Sequence, residues 1–169
     1  MATEAQTADP MRAEPQEEHN WLQKFVGDWT FEAESQEPGQ PAQTSTGTET
    51  VRSLGGLWTV GEGQGEMPGG GAATMIMTLG YDPRGQRFVG TWIGSMMAHL
   101  WVYEGRLDRA TNTLTLESDG PAMAGDGTLA RYRDVIEFRG NDHRVLTSHV
   151  RGEDGQWQMF MTADYRRKK

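Results

Sequence analysis

The 169-residue chain has no cysteine, an excess of acidic over basic charge and no long apolar run. Without cysteine, disulfide scaffolds, cysteine-type zinc sites and thiol catalysis are excluded. The 24 acidic residues outnumber the 16 lysines and arginines, giving a formal net charge of -8. We therefore expect no nucleic-acid partner, because phosphate binding needs a basic surface. No segment approaches the roughly 20 apolar residues of a spanning helix, so no membrane partner is expected either.

The length fits one domain, since single domains mostly hold about 100–200 residues. Residues 1–16 are polar, acidic and contain Pro10 and Pro15, so we expect a disordered arm. The arm has no apolar signal region, which makes a cytoplasmic location the default expectation. A single β-barrel domain is predicted over residues 17–166, followed by a frayed basic tail at 167–169.

Glycine is abundant, with 22 of 169 residues against an average of about 7%. The only helical pattern runs from Glu17 to Val26, and apolar residues after Gly27 recur with period two. About ten short segments of this kind are separated by turn residues, which predicts an all-β, antiparallel, up-and-down barrel with one short N-terminal helix. We favour a barrel over a sandwich because closure removes exposed edges. A barrel of more than eight strands commonly retains an internal cavity.

Aromatic and methionine side chains recur on the strand faces that we expect to point inward. Aromatic walls with a few polar tips suit a small-molecule pocket, and flexible thioethers suit varied apolar ligands. The alternative is that the same side chains fill a packed core. The candidate ligand-binding residues are Met75, Met77, Trp92, His99, Trp101, Tyr103 and Met159.

Several short motifs occur in a fixed order along the chain: His19-x-Trp21-Leu22, Gly27-Asp28-Trp29, Gly55-Gly56-Leu57-Trp58, Leu79-Gly80-Tyr81-Asp82-Pro83, Phe88-x-Gly90-Thr91-Trp92 and Arg133-Asp134. Together they resemble the bacterial family called domain of unknown function 1579. The resemblance implies a lipocalin-like, calycin-type barrel and no established activity. The Gly27-x-Trp29 triplet also resembles the start of lipocalins and of haem-binding, nitrobindin-type barrels.

The first functional hypothesis is a carrier that binds a small apolar or aromatic molecule inside the barrel and needs no cofactor or metal. Two alternatives are an enzyme that uses His99 as a base and a haem protein with His149 as the iron ligand. His143 and His149 lie about 20 Å apart on one predicted strand, too far to share a zinc ion. Glu104 and Glu117 are predicted to pair across a hairpin and to face solvent.

A further interpretation concerns the outer surface of the barrel. Apolar residues of the opposite strand parity would face outward there, which a lone monomer does not explain. They predict a homodimer face, which is compatible with either function. The residues are Val89, Ile93, Leu100 and Val102.

Overall fold

The computed structural model describes residue 9 and residues 11–67 and 70–169. Ten antiparallel strands form a closed barrel in which each strand pairs with its neighbours in sequence and the last pairs with the first. The predicted fold class is therefore confirmed. The strands are β1 (Gly27–Ser35), β2 (Gln43–Leu54), β3 (Trp58–Glu66), β4 (Ala72–Asp82), β5 (Arg87–Gly94), β6 (Trp101–Asp108), β7 (Thr113–Pro121), β8 (Leu129–Phe138), β9 (His143–Arg151) and β10 (Trp157–Arg167).

The helix α1 (Glu17–Leu22) is shorter than predicted and continues as a 3-10 turn, Gln23–Phe25. The tighter turn forms because the Val26 N–H donates to the Gln23 carbonyl. Gln16 and His19 cap the start of α1 reciprocally. Among the described residues, none of the helices is long and apolar enough to span a membrane. Of the predicted disordered arm, residues 1–8 and 10 lie outside the described part of the chain.

Alternation directs one face of the strands inward, as the period-two pattern predicts, with an interruption in β10. In β1, Trp29 and Phe31 are buried while their neighbours Thr30 and Glu32 are exposed. The pairing of β6 with β7 aligns Leu107 with Leu114, and Glu104 then meets Glu117 on the outer face, as predicted. Such a register fixes which residues reach the interior, since a shift by one residue would exchange the two faces.

The helix segment closes one end of the barrel. Trp21 and Phe25 pack edge-to-face on Phe138 with ring centroids 5.5 and 5.0 Å apart. Trp29 is fully buried next to Phe138, and it donates its indole N–H to the Phe25 carbonyl at 2.8 Å. This end of the molecule is a packed aromatic core.

The predicted basic tail begins too early, because β10 extends to Arg167. The Arg167 guanidinium lies 4.3 Å from the ring centroid of Trp29. It also donates to the carbonyls of Val26, at 2.6 Å, and Lys24, at 3.0 Å. Arg167 thus does not fray but holds the helix segment against the closed end.

Candidate ligand-binding cavity

A cavity of about 380 Å³ occupies the barrel between the aromatic core and the opposite, open end. The open end is formed by the connections that follow β1, β3, β5, β7 and β9. The volume lies in the range of small-molecule pockets, about 300–1,000 Å³. The barrel is therefore packed at one end only, and the interior is neither a fully filled core nor an empty channel.

Five of the seven predicted site residues line this cavity together. Strand alternation brings Met75 and Met77 to the inner face of β4, while Trp92 on β5 pairs directly with Trp101 on β6. Tyr103, two residues along β6, is 4% exposed. Their role in binding a ligand remains a prediction.

His99 does not line the cavity. Strand β6 begins at Trp101, so His99 lies in the preceding connection, outside the strand alternation that placed it on the inner face. Its Nε2 lies 2.8 Å from the carbonyl oxygen of Asp119, and its ring contacts the Trp101 indole edge-on, with centroids 4.9 Å apart. One aromatic ring thus separates His99 from the interior.

Met159 is also outside the cavity, with 59% of its surface exposed. Regular alternation would place Met159 on the same inward face as Met161, but β10 contains a bulge between the two residues. Met159 pairs with His149 and Met161 with the adjacent Ser148, so one extra residue on β10 resets the alternation. As a result Phe160 and Met161 both line the cavity.

The apolar part of the cavity wall is rich in thioethers. Six methionines of the described part of the chain line it, namely Met67, Met75, Met77, Met96, Met97 and Met161. At the open end the Trp101 indole N–H points at the Met97 sulfur, 3.1 Å away. Gly120 permits this position of Trp101, because a Cβ atom there would overlap the indole ring. Such a wall adapts to ligands of different shape.

The polar part of the wall centres on Asp134, a cavity-lining residue of β8. Tyr103 donates its hydroxyl to Asp134 Oδ2 at 2.7 Å, and Ser148 donates to Oδ1 at 2.6 Å. Desolvation raises the pKa of the Asp134 carboxyl, against the opposing effects of these two hydrogen bonds and of His149. Burial and the adjacent Asp134 also raise the pKa of the Tyr103 phenol. The cluster places a buried carboxyl group, which is costly to ionise, among the rings and thioethers of the wall.

An ion pair marks the inner end of the cavity. Arg144, which is 3% exposed, donates to Glu49, whose side chain is 12% exposed. The guanidinium stacks on Tyr165, 4.0 Å from its ring centroid, and lies 4.7 Å from that of Trp29. Burial strongly raises the pKa of the Tyr165 phenol. Arg144 therefore joins the cavity floor to the aromatic core and neutralises Glu49 there.

The sequence pattern contained a signal for these polar residues that the prediction did not use. Asp134 has the same parity as the buried Tyr132 and Ile136, and Arg144 has the same parity as Ser148. A charged residue in the inward phase of a strand indicates a buried charge, which needs a partner or a function. Asp134 entered the sequence argument only as part of the Arg133-Asp134 motif.

The remaining candidate groups lie outside the cavity. His149 alternates with the inward Ser148 and pairs with Arg133 and Met159 on the barrel wall. No histidine lines the cavity within the described residues, so the interior does not fit a haem held by histidine. Nor do the described residues contain a group of three or more histidine or carboxylate side chains able to hold a metal ion.

Glu117, on the outer face, bonds to Arg133 at 2.8 Å and to Arg131 at 3.2 Å. The Arg133 hydrogen bond is the main cause that lowers the pKa of Glu117, against the effect of burial. Three of the four residues of the predicted dimer face, Ile93, Leu100 and Val102, are 45%, 54% and 56% exposed, while the fourth, Val89, is half-buried. Dimerisation itself stays a prediction.

A family model described as "Protein of unknown function (DUF1579)" matches residues 14–167, nearly the whole chain. The chain belongs to this family. The match agrees with the resemblance carried by the sequence motifs, including the Gly27-Asp28-Trp29 and Arg133-Asp134 segments. None of the curated proteins matches the DUF1579 chain significantly.

Solved structures similar to this DUF1579 chain share its fold at low identity. Rv2717c from M. tuberculosis is 12% identical, with a TM-score of 0.67 over 92% of this chain and 100% of that protein. The S-type phycobiliprotein lyase CPES from Guillardia theta is 13% identical, with a TM-score of 0.56 over 92% and 99%. EF1p2_mFAP2b bound to DFHBI is 11% identical, with a TM-score of 0.51 over 89% and 99%. At these identities the likeness supports the barrel fold alone.

Proposed function

We propose that this DUF1579 protein binds a small, largely apolar or aromatic molecule inside the barrel and acts as its carrier. The observation that carries the proposal is the cavity of about 380 Å³, whose wall combines aromatic rings and thioethers with one polar cluster. Such a wall supplies contact area, and a few polar groups supply orientation. A cytoplasmic location and the absence of nucleic-acid and membrane partners belong to the same proposal.

The energetics of burial support binding in this cavity. Removing apolar surface from water contributes about 25 cal/mol per Å². A two-ring aromatic molecule that buries about 250 Å² would gain about 6 kcal/mol, from which the entropy of association is subtracted. Affinity in the micromolar range then requires good packing on Trp92 and Trp101 and a hydrogen bond to the polar cluster.

Two of the structurally similar proteins add support. One is a structure bound to DFHBI, and the other is a phycobiliprotein lyase. The inward methionines favour a ligand of variable shape over a single rigid substrate. The family description names no activity, so the proposed ligand class rests on the chemistry of the cavity wall.

The experiment is a titration of the purified protein with 1-naphthalenemethanol, an uncharged two-ring probe. Calorimetry and the intrinsic tryptophan fluorescence, to which Trp92 and Trp101 contribute, monitor the binding. We expect saturable binding that the cavity-filling Ala33→Trp variant weakens at least 10-fold. Glu34→Trp is the matched control, because Glu34 is the next residue of β1 and is exposed on the opposite face. Equal affinity in the two variants would place the probe outside the barrel and overturn the proposal.

A further inference from the structure

We infer that the ligand of the cavity carries a protonated amine, for which Asp134 provides the counter-charge. The inference deepens the proposed function and rests on it. It selects one class among apolar and aromatic molecules: those with an ammonium group attached to a ring system or a hydrocarbon body. Three observations about the charges, hydrogen bonds and rings of the cavity support it.

The first observation is the balance of charge in the cavity wall. Four charged residues line it: Glu49, Glu66, Asp134 and Arg144. Arg144 is paired with Glu49, and Glu66 is exposed at the open end of β3. Asp134 has no Lys or Arg side chain within salt-bridge distance among the residues that the structure describes. Within the described residues, the wall therefore holds one interior carboxyl group, that of Asp134, which no salt bridge of the protein neutralises.

The second observation is the unused hydrogen-bonding capacity of Asp134. A carboxylate has about four acceptor sites, and only two are used, one on each oxygen. Both donors, Tyr103 and Ser148, are neutral hydroxyls, so they orient the carboxylate without cancelling its charge. A ligand ammonium group would supply further donors and the missing charge together, and such charge-assisted bonds are about twice as strong as neutral ones.

The other ionisable groups around Asp134 do not supply this positive charge. On β9, Arg144 is engaged with Glu49 on β2, and His149 projects from the outer side of the wall. On β10 and β6, the phenols of Tyr165 and Tyr103 are neutral at pH 7, and burial raises the pKa of both further above the ordinary value of about 10. The described part of the chain thus supplies no positive charge at the inner side of Asp134, which leaves that position to an ammonium group of a bound molecule.

The third observation is the ring content of the wall. Trp92, Trp101 and Tyr103 line the same cavity as Asp134. Faces of aromatic rings attract cations, by about 0.5–2 kcal/mol for each well-placed pair. An ammonium group among these rings therefore meets favourable surroundings, whereas a carboxylate ligand would meet both the rings and the like charge of Asp134.

The test compares three probes that share one ring system: 1-naphthylmethylamine, which is protonated at neutral pH, 1-naphthalenemethanol, which is neutral, and 1-naphthoic acid, which is an anion. Calorimetry at pH 7.5 measures each Kd. We expect the amine to bind at least 10-fold more tightly than the alcohol, and the acid to bind more weakly than both. Asp134→Asn should weaken amine binding at least 10-fold and change alcohol binding less than 3-fold.

Glu137→Gln is the matched control for charge, because it removes a carboxylate from the outer face of the same strand, where Glu137 bonds to Arg139. It should leave the ratio of amine to alcohol affinity within twofold of the wild-type value. If Asp134→Asn does not fold, the three affinities of the wild-type protein alone decide whether the cavity prefers the amine.

The outcomes separate the inference from the proposed function. If the alcohol binds inside the barrel as tightly as the amine, the amine preference is overturned while the carrier function stands. If none of the three probes binds, the proposed function falls and the inference falls with it. Amine preference that survives Asp134→Asn overturns the role of Asp134.

Discussion

The closed and open halves of the barrel are built from the same alternating strands but differ in what fills them. In the closed half, Leu22, Trp29 and Leu114 have no exposed surface, and aromatic rings meet edge-to-face around Phe138. In the open half, methionines and half-buried rings surround about 380 Å³ of space. The difference indicates a division in which packing at one end stabilises the fold, while the other end keeps unfilled volume, the space in which we propose that a ligand binds.

The largest expected effect comes from removing the centre of the closed half. Trp29→Ala deletes a fully buried indole, its bond to the Phe25 carbonyl and the surface on which Arg144 and Arg167 rest. We expect the free energy of unfolding to fall by about 3–5 kcal/mol, measured by urea denaturation. Trp92→Ala in the open half is the comparison, and its loss should be at most half as large. Equal losses would contradict the division between the two halves.

The next effect concerns the ion pair at the boundary between the halves. Glu49→Gln leaves the Arg144 guanidinium buried without a negative partner, which should destabilise the protein by about 3 kcal/mol. Adding Arg144→Met removes that unpaired charge and should recover at least half of the loss. A thermodynamic double-mutant cycle measures the coupling. Additive losses would show that the pair contributes nothing as a pair.

Most of the fold was predictable from the sequence, because period-two alternation and turn residues depend on local chemistry. The ten strands, the hairpin that joins Leu107 to Leu114 and the inward position of Trp92 and Trp101 all follow from that alternation. The errors occur where alternation breaks. His99 precedes its strand, and the bulge in β10 turns Met159 outward. Neither irregularity is marked in the sequence by a Gly or Pro.

The polar half of the site was missed for a different reason. Asp134, Ser148 and Arg144 lie on neighbouring strands of the closed sheet, and their contacts depend on register over separations of 14 residues or more. The Arg144 partner, Glu49, is 95 residues away in sequence. Local pattern shows that such residues face inward, but only the register shows which of them meet.

A smaller effect is expected at the open end from Gly120→Ala. The new methyl group overlaps the Trp101 indole and must push it aside, away from its bond to the Met97 sulfur. Overpacking of this kind typically lowers the free energy of unfolding by about 1–3 kcal/mol. Because the open end can adjust, we expect a loss near the lower bound. Binding of 1-naphthalenemethanol should weaken several-fold. Unchanged probe affinity in Gly120→Ala would remove Trp101 from the binding surface.

The smallest expected effect has the opposite sign. Asp134→Asn should raise the free energy of unfolding at pH 7 by about 1 kcal/mol, because it removes a desolvated charge whose hydroxyl partners can also accept from an amide. Burial raises the folded-state pKa of Asp134 above the ordinary value of about 3.9, so wild-type stability falls as pH rises between these two values.

Below the ordinary pKa of aspartate, both folded and unfolded wild-type chains carry a protonated Asp134, and the advantage of the variant should vanish. The lowered pKa values of Glu117 and Asp164 give the opposite slope, but they do so in both proteins and cancel in the difference. Denaturation of both proteins from pH 3 to pH 8 measures the difference. A variant less stable than the wild type at pH 7 would mean that Asp134 holds the wall together. A more stable variant that no longer prefers the amine would mean that the open half retains this charge for its ligand at the expense of stability.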